Sequence, residues 1–159
     1  MKLYLMQHGD ALAKNIDPDR PLSEIGQSAV ERVASFLSGR IEITHVMHSG
    51  KKRARQTAEL FKNLVVGGLP IEPISGIKPN DSVEAFAQRV MNWDQDTLVV
   101  GHLPFMAKLV TWLLTGSAYE SIVSYQPGSI VCLEKDEDGH WRVQWMIMPE
   151  LLTGDTTAA

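Results

Sequence analysis

Cysteine occurs once in 159 residues, at Cys132. One thiol cannot form a disulfide framework or a thiolate zinc site within the chain, and a reducing compartment is the simplest reading. Cys132 lies in the apolar run SIVCL, which suits a buried structural thiol better than a nucleophile. Basic excess is also missing: Lys and Arg number 15 against 19 Asp and Glu, a formal net charge of −4. General nucleic-acid binding therefore has no electrostatic support. Long hydrophobic runs are absent too. The best candidate, PFMAKLVTWLL, is short and carries Lys108. The start, MKLYLMQHGD, has one lysine and too few apolar residues for a secretory h-region, so a cytoplasmic protein is expected. There is no internal repeat, and no G-x-S-x-G to mark a serine nucleophile.

What remains is an ordinary globular composition, 44% hydrophobic and 21% charged, in a length that suits one domain. That domain is expected over residues 1–150, with a polar tail at 151–159. KLYLM reads as a buried strand ending at Gln7-His8-Gly9. Ser23 can cap a helix running to about Leu37, with Val30, Val33, Ala34 and Leu37 on one face and Gly39 past its end. THVMHS reads as a second strand, and a helix opening at Gly50 follows. IEPI reads as an edge strand because Pro73 cannot serve a central ladder. Asp81 and Glu84 form a capping-box pattern for a third helix carrying Val83, Phe86, Ala87 and Val90. DTLVV is a strand running into Gly101-His102, and Pro104 suits the first turn of a fourth helix to about Leu114. A hairpin, SIVCLEK and HWRVQWMIM, closes the chain. The alternation predicts a layered α/β/α fold. Its central sheet is mostly parallel, with a C-terminal antiparallel strand pair. Ligands in such sheets bind outside the carboxyl ends of the strands. Three strand ends here carry polar residues: Gln7-His8-Gly9, His48-Ser49 and Gly101-His102.

Each of these pieces has an ordinary reading. His8 could cap a strand, and His102 could serve a strand-to-helix turn. The Gly after His8 allows close backbone approach to a ligand, and the helix beyond His102 offers an anion site at its start. HSGKKRARQT places Lys51, Lys52, Arg53 and Arg55 at a helix start, against the macrodipole preference. A bound anion would relieve that conflict; a solvated basic face is the alternative. A zinc site from His8, His48 and His102, with Asp10, competes. It lacks a local H-x-x-x-H or H-x-E spacing, and the cations nearby disfavour a metal ion.

Taken together, Gln7-His8-Gly9, the stretch Ser49 to Thr57 (SGKKRARQT) and Gly101-His102 resemble the three motifs of the histidine phosphatase superfamily. These are R-H-G, S-x-x-x-R-A-x-Q-T and G-H. PLSEIG at 21–26 is similar to that family's helix entry. The shortness of the chain and the run from Trp145 to Pro149 resemble its SixA-type members. The resemblance implies a phosphoglycerate mutase-like fold and a phosphohistidine intermediate on His8. It makes Arg53 and His102 phosphate-binding partners in catalysis, and Gln7, Gly9 and Ser49 further substrate-binding residues. It implies no metal and no cofactor, and suggests a phosphorylated histidine-containing protein as partner.

Two departures stand out. Gln7 replaces the motif arginine, trading a charged fork for neutral N–H donors. That costs about 2–4 kcal/mol of transition-state stabilisation if it resembles losing an oxyanion donor, unless Lys51 or Lys52 supplies the charge. No carboxylate between the second motif and Gly101 reads as a general acid. Imidazole, with an ordinary pKa of about 6.5, leaves without strong acid assistance, so phosphohistidine fits as substrate. A phosphomonoesterase for small metabolites, or a phosphate- or phosphoprotein-binding module slowed by Gln7, remain alternatives.

Overall fold

The computed structural model describes residues 1–68 and 70–152. Most of the tail expected from 151 onward, residues 153–159, lies outside them. Leu151 and Leu152 close a short 3-10 helix, Pro149–Leu152, and Leu152 packs on the core.

Six strands form one sheet: β1 (Lys2–Gln7), β2 (His45–His48), β3 (Ile71–Pro73), β4 (Thr97–Gly101), β5 (Ile130–Lys135) and β6 (Trp141–Ile147). Their spatial order is β3-β2-β4-β1-β5-β6. The first four are parallel, whereas β5 runs antiparallel to both β1 and β6. This is the expected mostly parallel sheet with its antiparallel C-terminal pair. β3, bearing Pro73, lies at the edge, as proline demands.

Strand alternation divides the core. Leu3 and Leu5 of β1 face helices α3 (Val83–Val90) and α4 (Phe105–Thr115), packing with Phe86, Val90, Phe105 and Leu109. Tyr4 and Met6 face α1 (Glu24–Leu37) and α2 (Lys52–Glu59), packing with Val30, Val33, Ala54 and Ala58. Helices thus cover both faces, and the layering is α/β/α. Cys132 belongs to the second cluster. It is fully buried, and burial pushes its thiol up to about 11.

Helix starts follow capping chemistry, with one correction. Ser23 caps α1 by accepting a hydrogen bond from the Gly26 N–H. At α3 the cap is Ser82, which accepts from Ala85 N–H, and not the expected Asp81. The Asp81 carboxylate is engaged one turn earlier, accepting from Lys78 N–H at 2.9 Å.

The topology sets up the site. α1 leaves β1 over one face, and α4 leaves the adjacent β4 over the other. The carboxyl ends of β1 and β4 therefore flank a switch point, where a crevice opens. β4 lies between β1 and β2, so the three polar strand ends become neighbours. Among the described residues, no helix is long and apolar enough to cross a membrane.

Candidate active site

His8 leaves the end of β1 with its backbone N–H donating to the Gly101 carbonyl at 3.0 Å. The next residue must be small: a Cβ on Gly9 would stand 2.7 Å from Val30 Cγ2. The Gly9 N–H donates to Thr57 Oγ1 at 3.0 Å, and that hydroxyl donates to the Arg53 carbonyl at 2.8 Å. One hydroxyl thus ties the end of β1 to the first turns of α2. Each residue of the R-A-x-Q-T stretch has a separate task. Arg53 points its Nε at His8 Nε2, 3.3 Å away. Ala54 is fully buried under the sheet. Gln56 Oε1 accepts from Leu22 N–H at 2.8 Å, holding the loop before α1. Thr57 holds Gly9.

The helix-entry segment locks the other side. The Ser23 N–H donates to the Asp10 carbonyl, and the Ser23 hydroxyl donates to the Asp10 carboxylate at 2.7 Å. A Cβ on Gly26 would stand 2.0 Å from the Asp10 carbonyl oxygen, so no side chain fits there.

These constraints fix the tautomer of His8. Its Nδ1 lies 2.7 Å from the Gly9 carbonyl, which can only accept, so Nδ1 carries the proton. Nε2 then holds a lone pair, directed at the Arg53 Nε–H. Burial lowers the His8 pKa to about 4, the Arg53 and Arg20 charges adding to it against the Gly9 hydrogen bond. The imidazole is neutral at pH 7, the form in which it can attack.

His102 stands beside it, ring centroids 4.9 Å apart. Burial comes first in lowering its pKa to about 3, followed by His8, Arg53, Lys51 and Arg20. Its Nε2 lies 2.6 Å from Ser49 Oγ, and its Nδ1 is buried without a partner. Gln7 is buried as well, with Oε1 unpaired. Gly101, before His102, comes within 2.7 Å of Met106 Sδ at its missing Cβ position.

His8, Arg53, His102 and Ser49 are thus brought together, with Gly9 in the hinge of the arrangement. His48, weighed in sequence as a metal ligand, instead accepts from Gly50 N–H through Nδ1 at 3.0 Å. An open cavity of about 580 Å³ adjoins the group through Arg53. Lys14, Arg20, Lys51, Lys52 and Arg55 also line it, with Asp19 as its one carboxylate. α2 begins at its wall with no side-chain cap and no acid in its first turn. Its free N–H groups and the cations together favour an anion.

Sequence reasoning missed Arg20, which sits in the loop before α1, and the tasks of Gln56 and Thr57. Arg20 is one cation between Asp19 and Pro21 and carries no periodic signal. Gln56 and Thr57 lay inside a motif already noted, but their partners are more than 30 residues away.

The family model of the histidine phosphatase superfamily (branch 1) matches residues 3–78. No curated protein matches the sequence significantly. Among solved structures, the protein histidine phosphatase SixA complexed with tungstate superposes with a TM-score of 0.84 at 26% identity. That match covers 96% of this chain and all of the other. A putative phosphohistidine phosphatase SixA from Agrobacterium tumefaciens gives 0.74 at 22% identity, covering 93% and 97%. A putative alpha-ribazole-5'-P phosphatase from Escherichia coli gives 0.75 at 19%, covering 94% and 97%.

Proposed function

The histidine phosphatase superfamily model matches residues 3–78, and a SixA structure superposes over 96% of the chain; on these grounds we propose that the protein is a phosphatase of that superfamily, that it works through a phosphohistidine on His8, and that its substrate is phosphohistidine on a signalling or phosphotransfer protein. The observation that carries this reading is the state of His8. It is a neutral imidazole whose Nδ1–H is spent on Gly9 and whose Nε2 lone pair faces a guanidinium, at the switch point of the sheet.

In the first step His8 Nε2 attacks the phosphorus of a phosphohistidine protonated on its other ring nitrogen, and the N–P bond breaks to release neutral imidazole. In the second, water attacks the phosphorus of phospho-His8. Orthophosphate leaves, and the Nε2 lone pair is restored. Arg53 lies where it can compensate charge on the equatorial oxygens, which is most of what phosphoryl transfer asks of a protein. His102 offers its ring beside the same centre, and Ser49 and the Gly9 backbone complete the wall. Gln7 adds no charge. The Asp10 carboxylate, whose charge acts on His8, already holds the Ser23 hydroxyl. A phosphohistidine ring protonated on its distal nitrogen leaves as neutral imidazole and needs no acid from the protein. The open, cation-rimmed cavity favours a phosphoryl group presented on a protein surface over an enclosed metabolite. A cytoplasmic setting, where phosphotransfer proteins and a lone reduced thiol are at home, completes the proposal.

The test is phosphate release from a phosphorylated histidine-containing domain, beside an aryl phosphate and small phosphate monoesters, with and without exhaustive chelation. The protein substrate should exceed the others at least tenfold in kcat/KM, and chelation should leave the rate intact. Faster release from a small ester makes the protein a metabolite phosphatase. Phosphate binding without release makes it a binding module. Loss with chelator, restored by a divalent metal, overturns the metal-independent mechanism.

A further inference from the structure

Arg20 lies in a pinned loop. Ala11 and Leu22 pair across its base, the Leu12 N–H donates to the Pro21 carbonyl, and Gln56 holds Leu22. Within that frame Arg20 has φ +47°, the only positive φ on a non-glycine residue among those described. A side-chain-bearing residue avoids this region unless its surroundings impose it, and such outliers gather at functional sites. Its N–H donates to the Asp17 carbonyl, and its Nε donates to the Leu12 carbonyl at 3.0 Å. The terminal nitrogens make no hydrogen bond or ion pair with any described residue. The guanidinium is therefore aimed by its stem and left open at its end.

Arg20 lines the same cavity as Arg53, whose Nε reaches His8 Nε2 at 3.3 Å. Arg20 and Arg53 are the two cations whose fields reach both His8 and His102. Lys51 adds to the lowering at His102. Arg20 also lowers the pKa of Arg53, second to burial, so the two guanidinium groups repel one another, and no carboxylate among the described residues is paired to either. A dianion between them would relieve that repulsion and accept charge-assisted hydrogen bonds from both.

We propose that Arg20 is a phosphoryl-binding residue of this site and supplies the second guanidinium that Gln7 does not. The proposal rests on His8 being the attacking group, since it places the phosphoryl oxygens between His8, Arg53 and Arg20. Gln7 is then no handicap: the charge enters from the loop before α1 instead of from the end of β1.

Inorganic tungstate and orthophosphate, titrated calorimetrically against wild type and Arg20→Gln, test this without requiring turnover. Removing one charge-assisted partner should weaken tungstate about tenfold to a hundredfold. kcat/KM should fall in parallel, with the thermal midpoint kept. Arg20→Met, which keeps the apolar stem, decides the matter if the glutamine variant does not fold. Gln7→Arg alone should change tungstate affinity little, whereas Gln7→Arg with Arg20→Gln should recover part of the loss. A folded Arg20→Gln or Arg20→Met that binds tungstate within threefold of wild type overturns the proposal. If wild type releases no phosphate from any substrate yet tungstate affinity depends on Arg20, the function proposed above fails and this inference stands. If release is normal in both wild type and Arg20→Gln, the reverse holds.

Discussion

Acid should leave His8 active long after an ordinary histidine would have protonated. The perturbation is pH alone. Burial, with Arg53 and Arg20 nearby, lowers the His8 pKa to about 4. At pH 5 about nine-tenths of the ring is then neutral, whereas a histidine at its usual value of about 6.5 would be neutral in roughly one molecule in thirty. The acid limb of kcat/KM reports the free enzyme, so activity at pH 5 should stay close to its plateau. Ring nitrogen shifts in NMR give the same midpoint directly, with a His8→Asn variant assigning the signal. A midpoint near 6.5 would refute the claim that this pocket holds His8 neutral by desolvation. The same shifts act on stability. The unfolded chain takes up protons on these rings below about pH 6.5, and the folded protein does so only near pH 4 for His8 and pH 3 for His102. Unfolding therefore binds protons in that window, and stability is full above it and falls as pH drops through it. Urea midpoints measured from pH 7 to pH 4 should decline, less steeply in His8→Asn.

Thr57→Val keeps the side-chain shape but leaves the buried Gly9 N–H unpaired. It should cost about 1–3 kcal/mol in urea unfolding and lower kcat/KM by loosening the link between His8 and Arg53; an unchanged enzyme would show that the tie is idle. Gly26→Ala puts a methyl group 2.0 Å from the Asp10 carbonyl and should destabilise the fold by about 3 kcal/mol or more. A loss under 1 kcal/mol would mean that the entry to α1 yields easily. Ser82→Ala should lose about 1 kcal/mol as a true helix cap, and Asp81→Ala less. The opposite order in thermal unfolding would return the cap to Asp81.

The strands, helices and layering were legible because apolar runs and periodic faces carry them. KLYLM and TLVV are nearly continuous apolar runs, as strands covered on both faces must be. Ser23 and Pro73 announced a cap and an edge by local chemistry. At α3 two residues offered the same chemistry side by side, and only the bond from Lys78 N–H to Asp81 decides between them. His8, Ser49, Arg53 and His102 were readable as three separated pieces. That they meet depends on β4 entering between β1 and β2, a non-local choice. Arg20 was illegible for a related reason. Its task follows from a loop folded back over α2 by Gln56, and nothing within ten residues of it encodes that contact. The departure at Gln7 looked like a lost charge because the sequence could not show where another guanidinium lies.

Trapping the phosphorylated protein tests the central claim most directly. Brief exposure to a labelled phosphohistidine domain, quenching in base and peptide mapping should place the label on His8, bonded through Nε2, acid-labile and stable in base, and His8→Ala should carry none. Label on Ser49, His102 or any other residue, or rapid turnover by His8→Ala, would contradict the account.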